Sequence, residues 1–519
     1  MNQKRNGFSS GKQLFFLFLL FFCLEPVLSA SPLSNAAGEF EYPTAGVIFP
    51  EQGTIQITTT PNTDLKDLRD GWPFAVCIRG EKNSSATRTA IGIYSNPGKG
   101  NGLSALVRGT NRKNCYAVDR DSPVKAGQRV NMALSWGPAG VFFYVDGRPV
   151  GSGKFPAEVL AFSPYLKIST LGPFFVSRLA VSSRQLPREE LQWDSSRPFT
   201  PDADCTLLAN DPAKPHYFAA PEFRKRKLVS LLPFDSVSGR IWFEEETPLL
   251  RFSAANFTNR DAVLPVTLRL TSEEGKSRSI VRRISIPADT IRAPLVLPLK
   301  NPGCGFYQVE AEIGPEKRRF RFTLSILPRI AGSAGALAEY LGTAGTTEPA
   351  ILGKLGIRWM RSWGRPDFVW YLLEPSSGKF DFRTADALLE ETHRNNVRVL
   401  AVLGYPPFWA AEPPPSDRKG VRFSDQPGRW KPRSLKEWTR YVRRTAEHFK
   451  GRIGHYEIYN ECDFKLPGKP ATFSGTTEEY FQLLKSASTA IHSADPAARV
   501  LVTGFSMVRG AVDSAMPED

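Results

Sequence analysis

From about Ile330 onward the chain alternates short apolar runs with helix-length amphipathic stretches, and no other feature constrains the fold as tightly. Val397-Arg-Val-Leu-Ala-Val-Leu403 is almost wholly apolar, as a strand covered on both faces must be, and such strands belong to parallel sheets. The spacing predicts strands at Ile357–Arg361, Val397–Leu403, Ile453–Tyr459 and Val500–Thr503, with a weaker one at Ala336–Leu341. Helices are predicted between them. The first covers Thr384–Asn395. The next opens with the capping box Ser434-x-x-Glu437, carries Leu435, Trp438, Tyr441, Val442, Ala446 and Phe449 on one face, and stops at Gly451. Another opens with Thr476-x-x-Glu479 and ends before Pro496.

The N-terminal part reads differently. Gly53–Thr60, Arg129–Trp136 and Gly140–Val145 alternate strand formers, and Asp146-Gly147 is a type I′ hairpin signal, so residues 38–190 are expected to form a β-sandwich. Ser135-Trp136-Gly137, taken with Phe143-Tyr-Val-Asp-Gly-Arg-Pro-Val-Gly151, resembles laminin G-like, concanavalin-type jelly rolls. Residues 191–226 are rich in Pro, Asp and Arg without periodicity and read as a linker. Leu249–Ser253, Pro265–Leu270, Gly305–Ile313 and Arg319–Ile326 alternate again, which predicts an Ig-like sandwich over residues 227–328. Pro328 and the Gly/Ala-rich stretch Ala331–Ala344 then open the α/β unit at 329–519.

Residues 1–30 read as a signal peptide: Lys4, Arg5 and Lys12 precede the apolar run Leu14–Leu24, and Val27-Leu-Ser-Ala30 offers small residues for cleavage. That run is short for a bilayer span and no second one follows, so the expectation is an exported protein, secreted, periplasmic or extracellular, without stable membrane insertion. Beyond Cys23, the odd set Cys77, Cys115, Cys205, Cys304 and Cys462 is no disulfide framework; Cys77 with Cys115 is the one plausible bridge. No spacing suggests a metal site, and no cofactor is expected. The formal charge of +15 favours acidic partners, and for an exported chain an anionic polysaccharide or cell surface is expected ahead of nucleic acid; a merely solvated basic surface is the alternative.

In a barrel of βα units the working residues sit at the C-terminal strand ends. Those ends are polar and aromatic here: Arg361 and Trp363, then Tyr405 and Trp409, then Asn460 and Glu461. Adjacent residues on a strand point oppositely, so Asn460 and Glu461 can face one ligand only if the strand ends or bulges between them.

Leu355-Gly-Ile-Arg-Trp-Met-Arg361, Trp370-x-x-x-Glu374-Pro-x-x-Gly378-x-Phe-Asp-Phe382, Tyr405-Pro-Pro-Phe-Trp-Ala410 and Tyr456-Glu-Ile-Tyr-Asn-Glu461 together resemble clan A retaining glycoside hydrolases of the β-xylosidase and α-L-iduronidase type. Where that family often has Trp-Glu-x-Trp-Asn-Glu-Pro, this chain has Tyr456, Tyr459 and Cys462. The resemblance implies a (β/α)8 barrel represented by about its first five strands. It also implies Glu461 as acid/base, Asn460 holding a sugar 2-hydroxyl, Arg361 orienting the nucleophile, and Tyr405 and Trp409 as stacking faces for a carbohydrate substrate. The second carboxylate would come from the seventh strand, beyond Asp519, so the chain is expected to be incomplete and inactive as given. The residues themselves leave blander readings open. Arg361 can be a barrel salt-bridge residue, Tyr405 and Trp409 loop packing, and Glu457 a structural strand carboxylate; a non-catalytic carbohydrate-binding or adhesion protein is the rival function.

Overall fold

The computed structural model describes residues 33–35, 39–44, 46–65, 74–80, 89–95, 103–109, 114–119, 122–156, 162–169, 174–233, 240–329, 342–344, 348–363, 366–413, 427–464 and 471–506. The expected signal peptide and the weak strand at Ala336–Leu341 lie outside them.

Two seven-stranded antiparallel sheets form the N-terminal sandwich. One runs in the order Leu33–Asn35, Glu39–Pro43, Phe162–Ser169, Phe74–Gly80, Thr89–Ser95, Leu103–Arg108, Asn114–Asp119. The other runs Arg148–Gly153, Gly140–Val145, Val130–Gly137, Gly53–Pro61, Phe174–Ser182, Cys205–Ala209, His216–Tyr217. Tyr42, Trp136, Phe143 and Phe174 are fully buried in the core between them. Asp146 and Gly147 take φ values of 44° and 75°, the doubly left-handed geometry of a type I′ turn that Asp-Gly tolerates.

Two expectations fail here. Residues 191–226 are not a bare linker, because Cys205–Ala209 pairs with Phe174–Ser182 and His216–Tyr217 pairs in turn with Cys205–Ala209. The five-residue strand is hidden in sequence among Asp202, Asp204 and Asp211, and its partner lies far back along the chain. The expected Cys77–Cys115 bridge fails as well, and Cys77 is buried in the strand Phe74–Gly80. Its strand and that of Cys115 are separated by two others in the sheet. At ~4.8 Å per strand this is roughly 14 Å, far beyond the reach of a disulfide.

The second sandwich packs a three-stranded sheet, Val229–Pro233, Leu249–Asn256 and Thr290–Pro298, on a five-stranded one. The latter runs Ile241–Phe243, Arg318–Leu327, Gly305–Ile313, Ala262–Ser272, Ser277–Ile286. Alternation decides which residues face inward: Leu264, Val266, Leu268 and Leu270 are buried while Val263 is exposed.

The C-terminal unit holds five parallel strands in chain order: β1 (Gly342–Ala344), β2 (Trp359–Arg361), β3 (Arg398–Leu403), β4 (His455–Ile458) and β5 (Arg499–Leu501). The longer helices between and around them are α1 (Pro349–Lys354), α2 (Arg383–Arg394), α3 (Leu435–His448) and α4 (Thr477–Ala494), with a single helical turn at Trp370–Leu373 before α2. Met360, Val399, Ala401, Leu403, Tyr456 and Ile458 share one sheet face and are buried against Leu388, Trp438, Tyr441 and Leu483 of the helices. The opposite face carries Trp359, Arg361, Leu400, His455, Glu457 and Leu501, as the register of the ladder requires.

At α4 both halves of the capping box form: Thr476 Oγ1 accepts from Glu479 N at 3.1 Å and Glu479 accepts from Thr476 N at 2.7 Å. At α3 only Ser434 caps, accepting from Glu437 N at 3.3 Å. Leu435, expected on the buried face of α3, is 45% exposed. A residue at the first helical position points back past the helix end and overhangs the packed layer.

Candidate active site

The chain leaves β2, β3, β4 and β5 at one edge of the sheet, and its backbone there departs from strand geometry. β4 ends at Ile458, after which Tyr459 and Glu461 take φ values of 62° and 51°; after β3, Tyr405 takes 60°. Left-handed backbone costs a non-glycine residue about 1–2 kcal/mol, and three such residues cluster here. Between two of them, Asn460 makes a parallel bridge to Gly504, and Glu461 N donates to Gly504 O at 2.8 Å. The turn on either side of Asn460 thus breaks the strand alternation that would otherwise send Asn460 and Glu461 to opposite faces.

Arg361, the last residue of β2, organises the polar groups. Its Nε and Nη2 donate to the two oxygens of Glu457 at 2.6 and 2.5 Å, and Nη2 also donates to Asn460 Oδ1 at 2.7 Å. Glu457 accepts a further bond from Gly504 N at 2.8 Å, and its side chain is only 4% exposed. Gly504 leaves room for this network: a Cβ there would lie 3.2 Å from Arg361 Nη2 and 3.3 Å from Glu457 Oε1, closer than ordinary contact. Arg361 is therefore a salt-bridge residue whose direct task is to fix Asn460, with Nη1 uncommitted among the described residues. Because Oδ1 of Asn460 is taken by Arg361, its Nδ2 turns elsewhere, and it is buried with no partner among the described residues. The carboxylate of Glu461 is half-buried and makes no hydrogen bond or ion pair among the described residues.

Aromatic rings complete the edge. Tyr405 is buried between Trp363 and Tyr459, with ring centroids 5.5 Å from each. Gly404, at φ 149°, permits this approach, since a Cβ there would meet the Tyr459 ring at 3.0 Å. Burial holds the Tyr405 and Tyr459 phenols well above their ordinary pKa, so both act as neutral groups, and the Tyr405 hydroxyl is buried without a partner among the described residues. Trp363 is the exposed ring, 36% accessible, with the Arg361 guanidinium 5.9 Å from its centroid. A cavity of about 410 Å³ runs along the open sheet face and is lined by Thr343, Trp359, Arg361, Leu400, His455 and Leu501. His455, at the far end of this cavity, is held below the ordinary imidazole pKa by burial and by Arg499 and Arg398, so it is a neutral group there.

Arg361, Asn460 and Tyr405 are thus brought to one edge beside the backbone of Glu461. Trp409 is engaged elsewhere: its Nε1 donates to Glu374 O at 3.4 Å, its ring meets Trp370 edge-on at 5.9 Å, and Arg440 lies 5.9 Å from it. Those neighbours form a buried scaffold. Glu374 accepts from Trp370 Nε1 at 2.9 Å, Gly378 N at 2.7 Å and Arg440, and Trp370 stacks on Tyr441 at 5.0 Å. The Trp370/Glu374/Gly378 motif is in this way a loop-fixing device. Sequence reasoning missed Tyr480, whose hydroxyl donates to Ile458 O at 3.0 Å and accepts from Thr503 N at 2.7 Å, tying the ends of β4 and β5. It also missed Asp463, which receives the backbone N–H and hydroxyl of Ser506. The nearness of Asp463 to Glu461 in sequence was the only available signal.

No known family profile matches the sequence, and no curated protein does. Among solved structures the chain is similar to xylanase XynB from Paenibacillus barcinonensis, at 14% identity over 36% of this chain and 56% of that one, TM-score 0.26. It is similar to xylanase 10B from Thermotoga maritima, at 17% identity over 34% and 54%, TM-score 0.23. A third is the exo-β-1,4-mannosidase Op5Man5 from Opitutaceae bacterium strain TAV5, at 20% identity over 30% and 26%, TM-score 0.22. The chain spans about half the length of the two xylanases. These neighbours are glycoside hydrolases, and TM-scores of this size do not establish a shared fold.

Proposed function

We propose that this chain carries the acid/base side of an exported retaining glycoside hydrolase whose βα units belong to a (β/α)8 barrel. The observation that carries the reading is the pairing of Glu461, a half-buried carboxylate with no protein partner among the described residues, with Asn460, whose amide is locked by Arg361 and Glu457 so that Nδ2 is left to donate. A buried donor without a partner costs about 1–3 kcal/mol, an expense that a sugar hydroxyl would offset on binding. In this reading Glu461 protonates the glycosidic oxygen and later deprotonates water, while Asn460 grips the 2-hydroxyl, a contact that tightens as oxocarbenium character develops. Trp363 offers the accessible ring face to the pyranose, and Tyr405, buried beside it, supports that ring. Trp409, held by the Glu374 loop, acts through that loop. Retention needs a second carboxylate about 5 Å from the first, supplied from a later strand, and the uncommitted Nη1 of Arg361 can hold it.

The test is Glu461→Ala in the active protein. An acid/base variant still transfers an activated aryl glycoside to the enzyme, because that aglycone leaves without protonation, yet scarcely cleaves a natural linkage. Azide should then restore turnover and give a glycosyl azide of retained configuration. Equal loss on both substrates without rescue, or an inverted azide product, would show that Glu461 has another role.

A further inference from the structure

A second cleft, of about 640 Å³, lies between the segment that follows the first sandwich, with its short helix Pro221–Lys225, and the second sandwich, and shares no residue with the strand-end site. Its lining includes Arg224, Lys227, Phe257, Asn259, Arg260 and Asp289. Phe257 at its floor belongs to a small buried cluster with Phe49, Ala220 and Ala255 that joins the first sandwich, the connecting segment and the second sandwich. The rim is cationic and largely unspent. Asp289, the one carboxylate lining the cleft, pairs with Arg224 at 2.9 Å, whereas the side chains of Lys227 and Arg260 meet no carboxylate among the described residues. Two left-handed residues, Lys227 at φ 50° and Asp289 at 52°, fold their turns into this rim.

We propose that this cleft binds an anionic polysaccharide through an acidic group, carboxylate or sulfate, on a sugar ring. Lys227 and Arg260 contact the anion, and the exposed Asn259, whose side chain makes no hydrogen bond among the described residues, contacts neighbouring hydroxyls. The volume suits an oligosaccharide segment, and domain junctions are favoured positions for ligand sites. A nucleic acid is the poorer fit, because the one aromatic lining residue, Phe257, is 3% exposed and offers no face to a base. Binding here would tether a polymer to the molecule independently of the strand-end site.

Affinity electrophoresis of the 519-residue chain tests this in gels containing polygalacturonate, dextran sulfate, neutral amylose or duplex DNA. Retardation by one or both acidic polysaccharides, and not by amylose, is expected; which of the two is stronger identifies the anion. Lys227→Asn with Arg260→Gln should weaken that retardation about tenfold, the loss of one or two charge-assisted contacts. Arg278→Gln with Arg282→Gln, which removes the same charge from an exposed edge strand of the second sandwich, should leave it within twofold. Asp289→Asn, which frees Arg224, should strengthen it, an outcome that misfolding would not produce. Equal losses from the two double variants, retardation by DNA as strong as by the polysaccharides, or an unaltered Asp289→Asn would overturn the proposal.

Discussion

Removing the Arg361 guanidinium tests the strand-end network directly. Glu457 is held by two bonds from Arg361 and one from Gly504, with a side chain that is 4% exposed, so Arg361→Leu strands a carboxylate where water cannot solvate it. Deleting one partner of a buried pair costs about 3–5 kcal/mol, which is roughly two to four orders of magnitude in an opening equilibrium. Removing both together costs less than the sum of the single changes, because no orphan charge remains. Arg361→Leu with Glu457→Leu should therefore recover at least half of the loss. Hydrogen exchange read by mass spectrometry on peptides covering β2 and β4 reports on this unit separately from the sandwiches. Arg444→Leu, which breaks an ion pair with both side chains about half exposed, serves as the reference and should change exchange by less than tenfold. If Arg361→Leu resembles Arg444→Leu, or the double variant costs the sum of the singles, Glu457 is not a buried charge that depends on Arg361.

Two further outcomes follow from local features. Thr476→Ala removes the reciprocal cap of α4 and should cost about 1 kcal/mol, at least as much as Ser434→Ala at the one-sided cap of α3, in the same exchange assay; a null effect would mean that packing alone holds the helix start. The Cys205 thiol is pushed up to about 12, by burial first and then by Asp202, so the native state keeps its proton where the unfolded chain loses it near 9. That contribution is complete below pH 9 and is lost as pH rises toward 12. The first sandwich should therefore weaken over that range, and less so as Cys205→Ala. At pH 8 iodoacetamide should label exposed Cys304 well before Cys205, and the reverse order would contradict the burial.

Features set by a few neighbouring residues were legible in the chain. The Asp146-Gly147 turn needs only two residues that tolerate left-handed backbone, the Thr476/Glu479 box needs only a four-residue spacing, and the apolar run at Val397–Leu403 announces a strand of a parallel sheet. The strand Cys205–Ala209 was invisible because a five-residue strand amid aspartates is defined by the ladder it joins, and that ladder is built from distant residues. The same holds at the strand ends. Sequence order put Arg361, Tyr405, Asn460 and Glu461 where strands should finish, but Arg361 and Glu457 lie 96 positions apart, and only the parallel register makes them partners. The left-handed turns at Tyr405, Tyr459 and Glu461 and the diversion of Trp409 to Glu374 are likewise tertiary decisions. Local propensity disfavours each of those three turns by about 1–2 kcal/mol, and only the bonds and ring contacts of the assembled sheet edge are large enough to override it.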